Sequence, residues 1–297
     1  MSDPVTLRVS TWNLNNGGID GGTDTGAGDD SRLRGILAKL TATGPHDVVF
    51  LQECKWGRWG SKRLHQVARH LDMPGGRYLV PALRYGCDLA VLVRESPKLR
   101  VVQERHETGV GPWFHALLRV EADLGAGIGT PRRVDLCGVH LAPSSPRARA
   151  LEAEMFNLMG KVPVIAAGDY NARALAERDL PNVDDVTSGR VERKLDATPA
   201  QIIADAGFTD LGELAGDLTP TVGYSLKPTV AHRADRIHTN INAVEVLEHT
   251  VITATDGTRR LSDHDGVTAL IRIPLEDVPL SGIQRGTGRL RRQPHRP

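Results

Sequence analysis

Gly168-Asp169-Tyr170-Asn171 follows the apolar run Val162 to Ala167 without a break. Such a run reads as a buried strand, and side chains two residues apart on a strand point the same way. Asp169 and Asn171 should therefore leave the strand end together, as a carboxylate and an amide. Hydrophobic packing gives no reason for that pair; binding an ion or a phosphate does. The arrangement recurs along the chain. Thr11-Trp12-Asn13 closes the run that starts at Leu7, Gln52-Glu53 closes Val48 to Leu51, and His140 closes Leu136 to Val139. Arg233-Ala234-Asp235-Arg236-Ile237 opens a late strand, and Ser262-Asp263-His264 precedes another, Gly266 to Ile273. Asn, Glu, His and Asp chemistry thus recurs at strand ends.

Positioning these groups requires alternating strands and helices. Ser31 to Thr43 carries Leu33, Ile36, Leu37 and Leu40 on one helical face, and Lys62 to Leu71 repeats the spacing with Leu64, Val67, Ala68 and Leu71. Pro146 to Met159 predicts a helix with Leu151, Met155, Leu158 and Met159 inward. Thr198-Pro199 opens a short helix through Ile202 and Ile203, which Gly207 stops. Further strands are expected at Asp88–Arg94, His115–Glu121, Arg133–Val139 and Asn242–Thr253. Several follow one another with no helix between them, so antiparallel pairing within mixed sheets is expected. About a dozen strands exceed what one open sheet holds. The predicted fold is α+β, a four-layer sandwich of two packed mixed β-sheets flanked by helices. A Gly/Asp loop, Gly17 to Asp30, and a polar insertion, Glu177 to Lys194, should border one rim. The loop's Asp20, Asp24, Asp29 and Asp30 lack the glutamate-terminated spacing of an EF-hand.

At 297 residues with 40% hydrophobic and 25% charged, the composition is that of a soluble globular protein. The net charge of +1 conceals an asymmetry. Arg285, Arg289, Arg291, Arg292 and Arg296 lie beyond Asp277 with no acidic residue among them. Setting those five aside from the 37 basic residues leaves 32 against 36 acidic, a body of net charge −4. We read residues 1–277 as one domain and 278–297 as a basic, disordered tail. Cys54, Cys87 and Cys137 are odd in number and sit in or beside apparent strands, which suits buried thiols rather than disulfides. No signal pattern opens the chain and no apolar stretch could span a bilayer, so a cytoplasmic monomer with no membrane partner is expected.

Taken in order, the Trp-Asn, Gln-Glu, His-Leu, Gly-Asp-x-Asn, Asp-Arg-Ile and Ser-Asp-His motifs resemble the endonuclease/exonuclease/phosphatase superfamily. This group includes pancreatic-type deoxyribonucleases, abasic-site endonucleases, neutral sphingomyelinases and inositol-polyphosphate phosphatases. The resemblance spans Val9 to about Ile273, and the physical chemistry agrees with it. A phosphodiester is anionic and resists attack, so its hydrolysis needs a cation, an activated water and a proton for the leaving oxygen. Asn13, Glu53 and Asp263 are hard oxygen donors suited to Mg²⁺ or Mn²⁺. The resemblance implies that His264 acts as general base or phosphate contact, oriented by Asp235. It implies that Asp169 and Asn171 position water and phosphate, and that His140 protonates the leaving group. One departure stands out. The glutamate that pairs with this second histidine in pancreatic-type deoxyribonucleases falls on Cys87, with Asp88 adjacent, so either Asp88 substitutes or His140 stands alone.

The segment Lys55-Trp56-Gly57-Arg58-Trp59 alternates basic and aromatic residues beside Glu53. It predicts a rim that grips a phosphate backbone and stacks a base; the alternative is that Trp56 and Trp59 form an apolar cover over the Lys62–Leu71 helix. Arg147 with Arg149, Arg233 with His232, Arg84-Tyr85 and Trp113-Phe114 are further rim candidates. The expected function is a Mg²⁺-dependent phosphodiester hydrolase, an intracellular endonuclease with DNA as substrate. The alternatives are a phosphodiesterase or phosphatase of a small phosphorylated metabolite or lipid headgroup, and a catalytically silent binding module.

Overall fold

Val48-Val49-Phe50-Leu51 shows why this chain builds sheets buried on both faces. Val48 and Phe50 belong to one apolar cluster and Val49 and Leu51 to another, the period of two that a strand covered on both sides requires. The computed structural model describes residues 3–21, 28–56, 62–108, 111–127, 131–177, 189–223 and 230–277. Asp24, Arg58, Trp59, residues 178–188 of the insertion and the tail 278–297 lie outside the described residues.

In chain order the elements begin with β1 (Val5–Asn13), α1 (Ser31–Ala42), β2 (Val48–Gln52), α2 (Lys62–His70), β3 (Gly76–Val80), β4 (Leu89–Val93) and β5 (Leu99–Glu104). Then come β6 (Leu118–Leu124), β7 (Arg132–His140), α3 (Pro146–Glu154), α4 (Phe156–Met159), β8 (Val164–Asp169), α5 (Gly189–Lys194) and α6 (Thr198–Asp205). The chain continues with β9 (Thr209–Asp210), α7 (Leu211–Ala215), β10 (Asp235–Thr239), β11 (Glu245–Ile252), β12 (Thr255–Asp256), β13 (Arg259–Arg260) and β14 (Gly266–Ile273).

One sheet has the order β11-β14-β1-β2-β4-β3 and the other β5-β6-β7-β8-β10-β9. Each contains one parallel pair, β1 with β2 and β7 with β8. These pairs decide where the chemistry lies. Asn13 ends level with Gln52, and His140 ends level with Asp169. The antiparallel neighbours begin where those strands finish: Asp235 faces Asp169, and Val267 faces Thr11. Strand ends far apart in sequence therefore meet at one mouth, outside the carboxyl ends of the parallel strands.

Leu7, Val9, Phe50 and Ile271 of the first sheet pack against Leu118, Leu136, Ile165 and Ile237 of the second. Leucines of α1 and α2 cover the outer face of the first sheet, and Ala153, Phe156, Met159 and Ile203 cover that of the second. The α+β four-layer arrangement is the one expected. Among the described residues no helix is long and apolar enough to cross a membrane, and the three cysteines are free and buried.

Two expectations need correction. The helix from Pro146 is divided at Met155, and its buried face carries Arg149, Glu152, Ala153, Phe156 and Met159, while Leu151 and Leu158 are each 56% exposed. The reason is polar: Glu152 accepts the backbone N–H groups of Phe114 (2.6 Å) and Ala142 (2.7 Å), which turns that face inward. Strands β3 and β5 went unread because both lie at sheet edges and bury little, which weakens the apolar pattern.

Candidate active site

Oδ2 of Asp169 is the point on which the motifs converge. It accepts from Asn13 Nδ2 and from Asn171 Nδ2, each at 3.1 Å, and lies 3.4 Å from His140 Nε2 and 3.8 Å from His264 Nε2. Oδ1 accepts the backbone N–H of Asn171 at 2.7 Å. Burial opposes charge on Asp169, yet His264, His140 and Lys194 outweigh it and hold the carboxyl down at about 2. Gly168 makes this possible: a Cβ there would come 1.9 Å from the Val139 carbonyl oxygen, so only glycine lets β8 lie this close to β7. Asn15, Asn16, Glu53 and Asn171, all at this mouth, have left-handed backbone. Non-glycine residues rarely keep such geometry unless their surroundings impose it, and they cluster at functional sites.

His264 is held from three sides. Ser262 Oγ donates to the Asn13 carbonyl (2.7 Å) and accepts from His264 N (3.2 Å), tying the Ser-Asp-His turn to the end of β1. Trp12 Nε1 donates to the His264 carbonyl at 3.0 Å. Nδ1 pairs with Asp235 Oδ2 at 2.8 Å, an oxygen that also accepts from Thr221 Oγ1 at 2.7 Å. Burial works against a charged ring, but Asp235 and Asp169 push His264 up to about 10. Burial likewise lifts Asp235, to about 6. The dyad is therefore an imidazolium and a carboxylate at neutral pH. Thr221 was not foreseen, and nothing near Thr221-Val222 in the sequence marks it.

His140 has a different environment. Its ring stacks on His115, with centroids 4.2 Å apart and planes at 17°, and its Nδ1 has no hydrogen-bond partner. Burial outweighs the pull of Asp169 and Glu53 and lowers its pKa, and burial lowers His115 to about 3. Both rings are neutral at pH 7. Asp88 accepts the Ala82 N–H at 3.0 Å, and the Cys87 thiol is pushed up to about 12 by burial. Neither residue supplies a hydrogen bond to Nδ1 of His140; the stacked His115 occupies the ring's face instead. The Trp-Phe-His run Trp113 to His115, read only as a rim candidate and a strand start, was the available signal.

The donor set suits a hard divalent cation. Asn13 and Glu53 face each other, Nδ2 to Oε1 at 3.4 Å, and the Asn16 backbone N–H orients Glu53 Oε2 at 3.0 Å. Among the described residues, the acid and imidazole side chains whose ligand atoms form a group of three all within 4.8 Å of one another are Asp169, Asp235 and His264, all buried. With Nδ1 of His264 engaged by Asp235, the oxygens of Glu53, Asn13 and Asp169 are the groups that would hold the ion. Asp263, expected with them, has no hydrogen bond to these groups among the described contacts. It is exposed on the turn, and its charge is felt at His264.

The expected rim is only partly present. Trp56 is 2% exposed and donates Nε1–H to the Gly17 carbonyl at 3.2 Å within the outer apolar cluster, so it is cover rather than a stacking platform. Arg233 is 1% exposed and bonded to Asp210 at 2.9 Å, because its backbone N–H and guanidinium answer the buried carboxylates of Glu177 and Asp210. Arg149 is also buried. Lys55 donates to Asn16 Oδ1 at the mouth, and Arg147 is exposed on the first turn of α3. Arg84 lies 4.8 Å over the Phe114 ring, beside exposed Tyr85. In the Gly/Asp loop, Asp20 pairs with Arg32 and Arg259, and Asp30 with Arg34 and Arg63, which accounts for their charge.

Solved structures share this fold. A humanised TDP2 of D. rerio bearing 14 mutations matches with a TM-score of 0.59 at 19% identity, over 90% of this chain and 98% of that one. A family protein from Bacteroides thetaiotaomicron gives 0.60 at 17%, over 92% and 99%. An AP endonuclease from Archaeoglobus fulgidus gives 0.60 at 15%, over 89% and 98%. No curated protein matches the sequence. The sequence profile of the Endonuclease/Exonuclease/phosphatase family matches residues 10–264, which span every motif gathered at the mouth, and the chain belongs to that family.

Proposed function

We propose that this chain is a divalent-metal-dependent phosphodiesterase and, within that class, an endonuclease acting on DNA. The observation that carries the reading is the convergence of two asparagines and two histidines of opposite protonation on one carboxylate oxygen, Asp169 Oδ2. When bound, Mg²⁺ or Mn²⁺ would neutralise charge on the scissile phosphate. Asp169, held ionised, accepts a hydrogen bond from the attacking water and aims it. Asn171 spends both Nδ2 hydrogens on the Leu141 carbonyl and on Asp169 Oδ2, which holds that carboxylate in place. His264, as the imidazolium, meets a non-bridging phosphate oxygen, and Asp235 with Thr221 fixes its ring. His140 is neutral and so hydrogen-bonds the leaving oxygen rather than protonating it; that oxygen takes up, by way of solvent, the proton the attacking water releases.

Family membership supports the reaction class. The DNA assignment draws on neighbours whose structures are of an AP endonuclease and of a D. rerio TDP2 complexed with a single-strand DNA product. The second reading, a small phosphorylated metabolite, is favoured by the burial of Trp56 and Arg233, which narrows the polyanion-gripping rim. Incubation with supercoiled plasmid and, separately, bis-nitrophenyl phosphate, with Mg²⁺ and His264→Ala as control, decides between them. Nicking that disappears in the variant is expected. Turnover of the small diester with intact plasmid would transfer the assignment to the second reading, and inactivity on both would remove the phosphoester reading.

A further inference from the structure

Asn13, Glu53, His140, Asp169, Asn171, Asp235 and His264 include no lysine or arginine. Phosphoryl transfer spreads negative charge over the equatorial oxygens, and fixed cations aimed at them are the usual source of stabilisation. Lys194, the last residue of α5, brings such a charge to this mouth. Its ammonium donates to Oδ1 of Asn171, whose Nδ2 is in turn bonded to the Leu141 carbonyl at 2.9 Å and to Asp169. The charge reaches Asp169, His140 and His232, which locates it among the groups of the site rather than out in solvent. The side chain is half-buried.

The segment that carries it is anchored. Arg149, with no exposed surface, donates Nη1–H to the Ala142 carbonyl at 3.0 Å and Nη2–H to the carbonyl of Arg193. One guanidinium thus links the residue before Lys194 to the chain just beyond His140. Leu195, the residue after it, is buried. Burying an arginine is costly unless its donors are used; here both Nη groups are engaged and fix the reach of the lysine, while Nε has no partner.

We propose that Lys194 is a substrate-contacting cation of the phosphoryl site and that Arg149 is the residue positioning it. This rests on the phosphodiesterase reading above. An ammonium has three donors, so Lys194 can keep Asn171 oriented and turn another N–H from its present surroundings to a non-bridging phosphate oxygen when substrate enters.

The test is steady-state hydrolysis of bis-nitrophenyl phosphate with Mg²⁺ by wild type, Lys194→Met and Lys194→Cys, each checked by thermal unfolding. Lys194→Met should lose ~10²-fold in kcat, the usual effect of deleting one preorganised donor, with its unfolding midpoint unchanged. Lys194→Cys should regain activity after alkylation with 2-bromoethylamine, which rebuilds a lysine with sulfur in place of one methylene; wild type treated alike controls for the native thiols. Arg149→Lys should slow the wild type but not Lys194→Met further, since it acts through that side chain. Lys194→Met within about threefold of an active wild type, or alkylation without recovery, would overturn the role of Lys194 and leave the phosphodiesterase reading standing. A wild type inactive on every phosphoester would remove both.

Discussion

Replacing Asp235 by Asn leaves the shape of the dyad and removes its charge. His264 is raised from 6.5 to about 10 by Asp235 and Asp169 against the pull of burial. A group with a raised folded pKa contributes stability that is fully present below its unfolded value and is lost as pH rises through the folded one. For His264 the window runs from about pH 6.5 to 10. At 1.36 kcal/mol per unit, a shift of this size corresponds to about 5 kcal/mol at pH 6, about 3 at pH 8 and almost nothing at pH 10. Asp235 takes the largest share among the charges, and removing one member of a buried ion pair costs about 3–5 kcal/mol. Asp235→Asn should therefore be less stable than wild type by about 3 kcal/mol at pH 7, with the gap closing steadily toward pH 10. Urea unfolding followed by tryptophan fluorescence, in EDTA so that no cation binding contributes, measures both curves; Trp12 reports directly because it bonds the His264 carbonyl. Parallel pH profiles for the two proteins, or a gap that widens above pH 8, would refute the ionised dyad.

Glu53→Gln should abolish the stabilisation that Mg²⁺ gives to thermal unfolding and lower activity by at least ~10²-fold, whereas Asp263→Asn should keep the Mg²⁺ shift. The opposite ranking would return Asp263 to the ion. Trp56→Ala should destabilise by about 3–5 kcal/mol, as for a large side chain deleted from a core. An unchanged urea midpoint with weakened DNA binding would instead favour the stacking rim.

The sequence alone determined which strand ends bear chemistry, because a carboxylate, amide or imidazole directly after an apolar run breaks the two-residue alternation and has no packing reason. It also determined the layering, since runs such as Val48 to Leu51 are apolar on both faces and must be covered on both. What a side chain does after leaving its strand depended on contacts made across long separations. Trp56 and Arg233 look in sequence like a nucleic-acid rim, and only the Gly17 carbonyl and the Asp210 carboxylate, both distant in the chain, draw them inside. Leu151 and Leu158 satisfy a helical period, but Glu152 meeting two backbone N–H groups rotates that helix the other way. Thr221 and Lys194 occupy segments without a local pattern, His115 only opens an expected strand, and their partners Asp235, Asn171 and His140 become neighbours only when the strands of the second sheet pair and its flanking loops fold back on them. Periodicity records which surface a residue shares with its near neighbours in the chain; burial, protonation and partner choice are set by the electrostatics of groups the chain brings together from afar.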